Sequence, residues 1–143
     1  MLIGHFFARL GDKGRTALPK KYREELGQKV ILGRWYENCL AILAEKIWLK
    51  LSAEVSRRPF VVASGRETDR FLSGGAFEID LDKQGRLIIP EALRNYAGLG
   101  EEIVFIGLGN RVEIWDKTKW ANYERYLDEH AEEIAERLGA VGV

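Results

Sequence analysis

Apolar and polar positions alternate with a period of two in two stretches of this chain. The apolar positions are Phe6, Ala8 and Leu10 in the first stretch and Phe77, Ile79 and Leu81 in the second. Such alternation is typical of a strand with one buried face. A glycine-containing turn follows each stretch, at residues 11–14 and 82–85, where glycine lets the chain reverse because it tolerates positive φ. The pattern therefore predicts two strand–turn units.

These units belong to an internal repeat. Residues 5–27 align without a gap with residues 76–98, and seven of the 23 aligned pairs are identical. The identical pairs are Phe6/Phe77, Leu10/Leu81, Gly14/Gly85, Arg15/Arg86, Pro19/Pro90, Arg23/Arg94 and Gly27/Gly98. After each turn a second short strand is expected, and a proline then opens a short helix, where it costs no hydrogen bond. The chain thus consists of two copies of one unit, copy one and copy two.

Both copies continue with the same order of predicted elements. These are an apolar strand (residues 30–32 or 103–106), a turn (37–38 or 109–110), a last strand (40–43 or 112–115) and a helix that contains Trp48 or Trp120. The predicted fold class is α+β, with two β modules joined and flanked by helices.

Four segments are expected along the chain. They are module 1 at residues 5–47, a helical linker at 48–75, module 2 at 76–119 and a C-terminal helix at 120–143. The region between the copies is predicted to be helical and net basic, with breaks at Pro59 and at Gly74-Gly75. The terminal segment 117–138 places its large apolar side chains broadly on one side of a single helix. Each module has only about 45 residues, so the two are expected to fold together.

Charge is distributed unevenly although the net charge of the chain is zero. Residues 9–34 contain eight basic and three acidic residues, a local charge of +5, whereas residues 116–143 contain four basic and seven acidic residues, a local charge of −3. A basic N-terminal part is suited to phosphates, although solvated helices also commonly carry such runs of charge.

The sequence offers little material for catalysis, for metal binding or for insertion into a membrane. Cys39 is the single cysteine, and His5 and His130 are the only histidines, so neither an intrachain disulfide nor a multi-thiolate metal site is possible. Acidic residues such as Asp12 and Asp82 could pair for acid–base chemistry, but no nucleophile, base or phosphate-binding loop accompanies them. No apolar run approaches the length of a membrane span, and the N-terminus lacks the features of a signal peptide. An enzyme is therefore the disfavoured alternative, and a cytosolic protein without a cofactor is expected.

The two strand–turn motifs resemble the signature of the MraZ family. The resemblance rests on residues 10–15 with Pro19 and on residues 81–86 with Pro90, and it extends over about residues 1–125. That family carries two copies of the SpoVT-AbrB module, a swapped-hairpin DNA-binding fold, so the resemblance implies a pseudo-twofold relation within the chain. This sequence departs from the family pattern at Gly11, where copy two has the expected aspartate, Asp82.

The resemblance also implies a function. Members of the family are cytoplasmic, nucleoid-associated transcription regulators that bind repeated sites upstream of their own cell-division and cell-wall operon. They form closed homo-oligomeric rings, often of eight subunits. The expected partners are therefore double-stranded DNA and further copies of the chain, with no membrane, cofactor, small-molecule substrate or enzymatic activity.

Six basic residues are the candidates for DNA contact. Arg15 and Arg86, carried over from the family motif, are the leading candidates, and they are supported by Lys13, Arg9, Lys83 and Arg23. The surroundings of the two copies differ in charge, since residues 76–94 of copy two contain three basic and four acidic residues. If phosphate contacts supply much of the affinity, copy one should contribute more of it, so Arg15→Ala is expected to weaken operator binding more than Arg86→Ala.

A module that acts through protein partners, antitoxin-like or ring-forming, is the alternative function. An antitoxin would usually carry a disordered partner-binding tail that is poor in aromatic residues. Here the tail contains Trp120, Tyr123 and Tyr126 and is expected to be ordered. Its acidic face could instead pack on the basic linker of a neighbouring subunit.

Overall fold

Strands and helices follow one another in the same order in both halves of the chain. The computed structural model describes residues 1–57 and 60–142, so the predicted break at Pro59 lies outside the described residues. The strands are β1 (Ile3–Arg9), β2 (Arg15–Ala17), β3 (Lys29–Arg34), β4 (Leu40–Ala44), β5 (Phe77–Asp80), β6 (Arg86–Ile88), β7 (Glu102–Leu108) and β8 (Val112–Asp116). The helices are α1 (Lys20–Leu26), α2 (Glu45–Ser56), α3 (Ala63–Leu72), α4 (Glu91–Ala97), α5 (Lys117–Glu129) and α6 (Ala131–Ala140). The predicted α+β fold class is confirmed.

The strands form one six-stranded antiparallel sheet and one two-stranded ribbon. The order in the larger sheet is β1-β7-β8-β4-β3-β5, and the ribbon pairs β2 with β6. The first strand of each copy pairs with the third strand of the other copy, β1 with β7 and β5 with β3. The fold is therefore a tandem pair of swapped-hairpin modules with a pseudo-twofold relation, and neither module has a sheet of its own.

The main core is built from both copies at once. Leu18, Tyr22 and Leu32 of copy one pack in the same cluster as Ile89 and Phe105 of copy two, and all five are at most 1% exposed. Helices α1 and α4, each preceded by its proline, carry the buried Tyr22 and Leu93 into this core. Because the cluster needs side chains from both halves of the chain, the modules are expected to unfold together.

The terminal segment differs from the single helix that its sequence predicts. Two helices, α5 and α6, meet at His130, whose φ of −112° and ψ of 19° lie outside helical values. The Tyr126 carbonyl lies 2.8 Å from His130 Nδ1 and accepts the His130 backbone N–H at 3.0 Å. The imidazole is therefore drawn back toward the end of α5, and the chain turns before α6 begins. Within the described ranges, no helix is both long and apolar enough to cross a membrane.

Candidate nucleic-acid interface

The outer face of the β2–β6 ribbon presents two arginines. Thr16 pairs with Leu87 in the ribbon, and both side chains point inward, with residue exposures of 8% and 4%. Arg15 pairs with Ile88, and Ala17 pairs with Arg86, and all four of these residues are exposed. Since directly paired residues share a face, Arg15 and Arg86 are diagonal neighbours on the outer face, with Cα atoms about 7–8 Å apart. One patch, formed equally by the two copies, therefore carries both leading candidates.

The glycine before each arginine is required by the backbone and by its neighbours. Gly14 has a φ of +79° and Gly85 a φ of +73°, in the region that only glycine adopts readily. A Cβ added at Gly14 would lie 2.5 Å from the Ile89 carbonyl oxygen and 2.8 Å from Arg94 Nε. At Gly85 an added Cβ would collide with the Arg23 side chain. The Gly-Arg pair thus places each arginine directly after a turn that is pressed against the other copy.

Arg23 and Arg94 support these turns across the two copies. Arg23 Nη1 donates to the Lys83 carbonyl at 3.2 Å, and Arg94 Nε donates to the Ile89 carbonyl at 3.0 Å. Both arginines are only partly exposed. The Ile89 carbonyl belongs to the same copy as Arg94, but each arginine side chain lies against the turn glycine of the other copy, Arg23 against Gly85 and Arg94 against Gly14. The alignment identified the recurrence of the two arginines, and no local pattern indicates these contacts between copies.

The two leading arginines have different partners. In copy two, Asp82 Oδ2 accepts a hydrogen bond from Arg86 Nε at 2.6 Å, and Asp82 Oδ1 accepts from the backbone N–H groups of Arg86 and Gln84, both at 2.9 Å. The backbone N–H of Arg86, and after it the Arg86 side chain, lower the pKa of Asp82 below its ordinary value. Copy one has Gly11 at the equivalent position, and the ion pairs among the described residues include none at Arg15.

The loss of this aspartate does not alter the closure of the turn in copy one. The backbone N–H of Gly14 donates to the Gly11 carbonyl at 3.2 Å, as Gly85 donates to the Asp82 carbonyl at 2.9 Å. Gly11 also donates to the Arg15 carbonyl at 2.7 Å. Both turns therefore close with the same backbone hydrogen bonds. They differ in the side-chain partner of the arginine and at Lys13, whose φ of +62° is not shared by the equivalent Gln84.

The remaining candidates lie around the ribbon. Lys13 and Lys83 are exposed in the two turns, and Lys13 has a φ of +62°. Arg9 is exposed at the end of β1, and its Nη2 lies 3.5 Å from Glu101 Oε2, an ion pair that surrounding water weakens. The structure therefore brings five of the six candidates to the exposed rim of the ribbon and its turns, and it places Arg23 beneath the turn of copy two.

The flank of the ribbon beside β5 is acidic. Glu78 and Asp80 line an open groove of about 750 Å³ together with Arg15 and Arg86. The positions equivalent to Glu78 and Asp80 in copy one are Phe7 and Arg9, and Lys117 Nζ lies 5.4 Å from the centre of the Phe7 ring. Equivalent positions on the two flanks therefore differ in charge, while Glu78 and Asp80 line the groove with both arginines.

The described residues contain no cluster of three His, Cys, Asp or Glu side chains arranged to hold a metal ion. Cys39 is fully buried, and burial, followed by the nearby Glu113 carboxylate, raises the pKa of its thiol. A thiol in this state is inert. The side chains that distinguish this surface are cationic and hydrogen-bond donating.

Swapped strands, a shared ribbon and a pseudo-twofold relation within one chain define a tandem pair of swapped-hairpin modules. The family model described as "MraZ protein, putative antitoxin-like" matches the chain twice, over residues 1–71 and 72–140. The chain therefore belongs to the MraZ family, as its motifs predicted.

Relatives in several bacteria resemble the chain along its whole length. A protein described as "Transcriptional regulator MraZ" from Acetivibrio thermocellus is 41% identical over 143 residues, and one from Syntrophomonas wolfei is 38% identical over 143 residues, with 100% of both chains covered in each case. Another, from Caldanaerobacter subterraneus, is 39% identical over 138 residues, with 96% of each chain covered.

Proposed function

We propose that this protein is a transcription regulator that binds double-stranded DNA through the outer face of the β2–β6 ribbon. The observation that carries the proposal is the pair of exposed arginines, Arg15 and Arg86, on adjacent antiparallel strands. A two-stranded ribbon fits the major groove of B-DNA, and a guanidinium can donate two hydrogen bonds to the O6 and N7 atoms of guanine. The names of the relatives described above support the same function.

The basic residues around the ribbon have graded roles in this proposal. Arg15 and Arg86 lie on the face of the ribbon that enters the groove, while Lys13 and Lys83 in the turns, with Arg9 at the end of β1, meet phosphates at its rim. Arg15 supplies more of the sequence-independent affinity than Arg86, because the Asp82 carboxylate offsets the charge of Arg86 and no ion pair among the described residues does so for Arg15. Arg23 acts through the turn that it supports.

The proposal extends to the target and to assembly. The sites are repeated sequences upstream of the protein's own cell-division and cell-wall operon, the chain assembles into a closed homo-oligomeric ring, and it acts in the cytoplasm at the nucleoid. The doubled motif supports these statements through the family to which the chain belongs. Enzymatic activity, a cofactor and a small-molecule substrate form no part of the proposal.

A binding titration with two variants tests the surface. In fluorescence anisotropy with a labelled duplex, the double variant Arg15→Ala/Arg86→Ala should bind at least about tenfold more weakly than the wild type, since it loses two cationic contacts. Arg137→Ala is the matched control, because Arg137 is exposed on α6 and its ion pair among the described residues lies within that helix, with Glu133 at 3.6 Å. The affinity of this variant should stay within about twofold of the wild type. Unchanged affinity of the double variant, with an unchanged circular dichroism spectrum, would refute the proposed surface.

A further inference from the structure

We propose that Asp82 makes Arg86 the residue that discriminates between bases, whereas Arg15, beside Gly11, supplies affinity without discrimination. This inference rests on the proposed function, since it divides two tasks between the arginines of the same surface.

Asp82 fixes one edge of the Arg86 guanidinium and leaves the other edge exposed. The hydrogen bond from Arg86 Nε to Asp82 Oδ2 is 2.6 Å long, and the opposite carboxylate oxygen is held by two backbone N–H groups at 2.9 Å. The terminal nitrogens Nη1 and Nη2 of Arg86 have no hydrogen-bond partner among the described residues, and its side chain is 66% exposed. Those two nitrogens form the planar fork that pairs with guanine. Because the fork is held in place before DNA arrives, less side-chain entropy is lost on binding.

Arg15 has the opposite properties. Gly11 provides no carboxylate, and among the described residues no ion pair offsets the charge of Arg15 and no side-chain hydrogen bond fixes its guanidinium. A mobile cation can meet a phosphate in many orientations, but fixing it against one base edge costs more conformational entropy. At Arg86, by contrast, the adjacent carboxylate cancels much of the attraction to phosphates. The difference between the two copies at one position, Asp82 in copy two and Gly11 in copy one, therefore assigns specificity to Arg86 and affinity to Arg15.

A purely structural role for Asp82 is the competing explanation. The backbone bonds that Asp82 Oδ1 accepts are turn bonds, and they would suffice as a reason for an aspartate here. However, the turn of copy one closes without that carboxylate, with the same backbone hydrogen bond between Gly14 and Gly11 and with a positive φ at Gly14 as at Gly85; its backbone differs at Lys13, whose φ is +62°. The bond to Arg86 Nε is thus not needed to form the turn, and it acts on the arginine.

Four single variants of the full-length chain separate the two roles. Each is titrated against two duplexes of equal length, the DNA upstream of the protein's own gene and a shuffled version of it, over a series of salt concentrations. Arg86→Lys keeps the charge but loses the fork, so it should reduce the ratio of the two affinities about tenfold or more, while Arg15→Lys, its matched control, should leave the ratio within about twofold. Asp82→Asn should also reduce the ratio, and it should raise the affinity for the shuffled duplex, because the carboxylate that offsets the charge of Arg86 is removed.

Gly11→Asp tests the converse, because it gives copy one the carboxylate that copy two has. Gly11 has a φ of −80° and a ψ of −175°, and an added Cβ would lie 3.4 Å from the Arg15 carbonyl oxygen, so an aspartate fits without strain. It should weaken binding to the shuffled duplex and reduce the slope of log affinity against log salt by about 0.9, the value for one phosphate contact.

Three results would overturn the inference. The first is an affinity ratio that Asp82→Asn and Arg86→Lys leave unchanged. The second is an equal loss of affinity for both duplexes in Asp82→Asn, which would assign Asp82 to the turn alone. The third is a wild type that binds neither duplex. That result would refute the proposed function itself, and it is distinguishable from the first two results because it is seen in the wild type, whereas they are seen only in the variants.

Discussion

Replacing Gly14 by alanine changes the turn where copy one is pressed against the ribbon strand of copy two. The added Cβ would lie 2.5 Å from the Ile89 carbonyl oxygen, and this oxygen cannot retreat easily because the Ile89 backbone N–H donates to the Gly14 carbonyl at 2.8 Å. The positive φ of 79° adds a second penalty. A left-handed backbone costs a non-glycine residue about 1–2 kcal/mol, and overpacking costs about 1–3 kcal/mol. We therefore expect the free energy of unfolding to fall by about 2–5 kcal/mol.

Gly109→Ala is the matched control for this substitution. Gly109 has a similar φ of +84°, but nothing lies within 4 Å of the position of its Cβ. Its substitution should therefore cost only the backbone penalty of about 1–2 kcal/mol. Equilibrium unfolding in urea, followed by the fluorescence of the four tryptophans, gives both free energies. Equal losses in the two variants would show that the turn of copy one is not packed tightly against Ile89, and would refute the reasoning.

Three further predictions concern single side chains. Tyr22→Phe removes the hydrogen bond of 2.6 Å from the buried hydroxyl to the Gly4 carbonyl and should lower the free energy of unfolding in urea by about 0.5–1.5 kcal/mol; an unchanged midpoint would contradict this. The pKa of Asp82 is lowered by the N–H and guanidinium of Arg86, so its stabilising contribution is present at neutral pH and is lost only as the pH falls through that lowered pKa. The stability difference between wild type and Asp82→Asn should accordingly be constant from pH 8 to pH 5, and a difference already lost at pH 6 would contradict the assignment. Cys39 is 0% exposed, and burial raises its thiol pKa, so a thiol reagent at pH 8 should modify it only in urea, whereas rapid modification of the folded protein would show that the site opens.

Local patterns predicted the order of the elements but not the partners of the strands. The alternation around Phe6 and Phe77 and the glycines and prolines that follow are local signals, and each falls where the structure has a strand, a turn or a helix start. Phe6 pairs with Phe105 of the other copy, and the same alternation would fit pairing within its own copy. Only the family resemblance indicated the swap, because strand pairing depends on contacts far apart in sequence.

For the candidate site, too, local patterns predicted the positions of the residues but not their partners. Alternation about Thr16 and Leu87 is sufficient to place Arg15 and Arg86 on an exposed face. The hydrogen bond between Asp82 and Arg86 depends on side-chain conformation. The sequence therefore showed that the aspartate is missing at Gly11, but it did not show that Arg15 lacks a carboxylate partner among the described residues. The break between α5 and α6 was not predicted, because histidine in a helical segment gives no stop signal of the kind that glycine or proline gives.

The measurement that tests the account most directly is a salt series of wild-type binding to the DNA upstream of the protein's own gene, with random DNA of equal length as the competitor. Five cationic side chains at the exposed ribbon and its turns predict a slope of log affinity against log salt of about −3 to −5. They also predict a preference for the upstream DNA of at least about a thousandfold. Equal affinity for both duplexes, or a slope close to zero, would contradict the claim that this ribbon binds DNA as the specific contact of a transcription regulator.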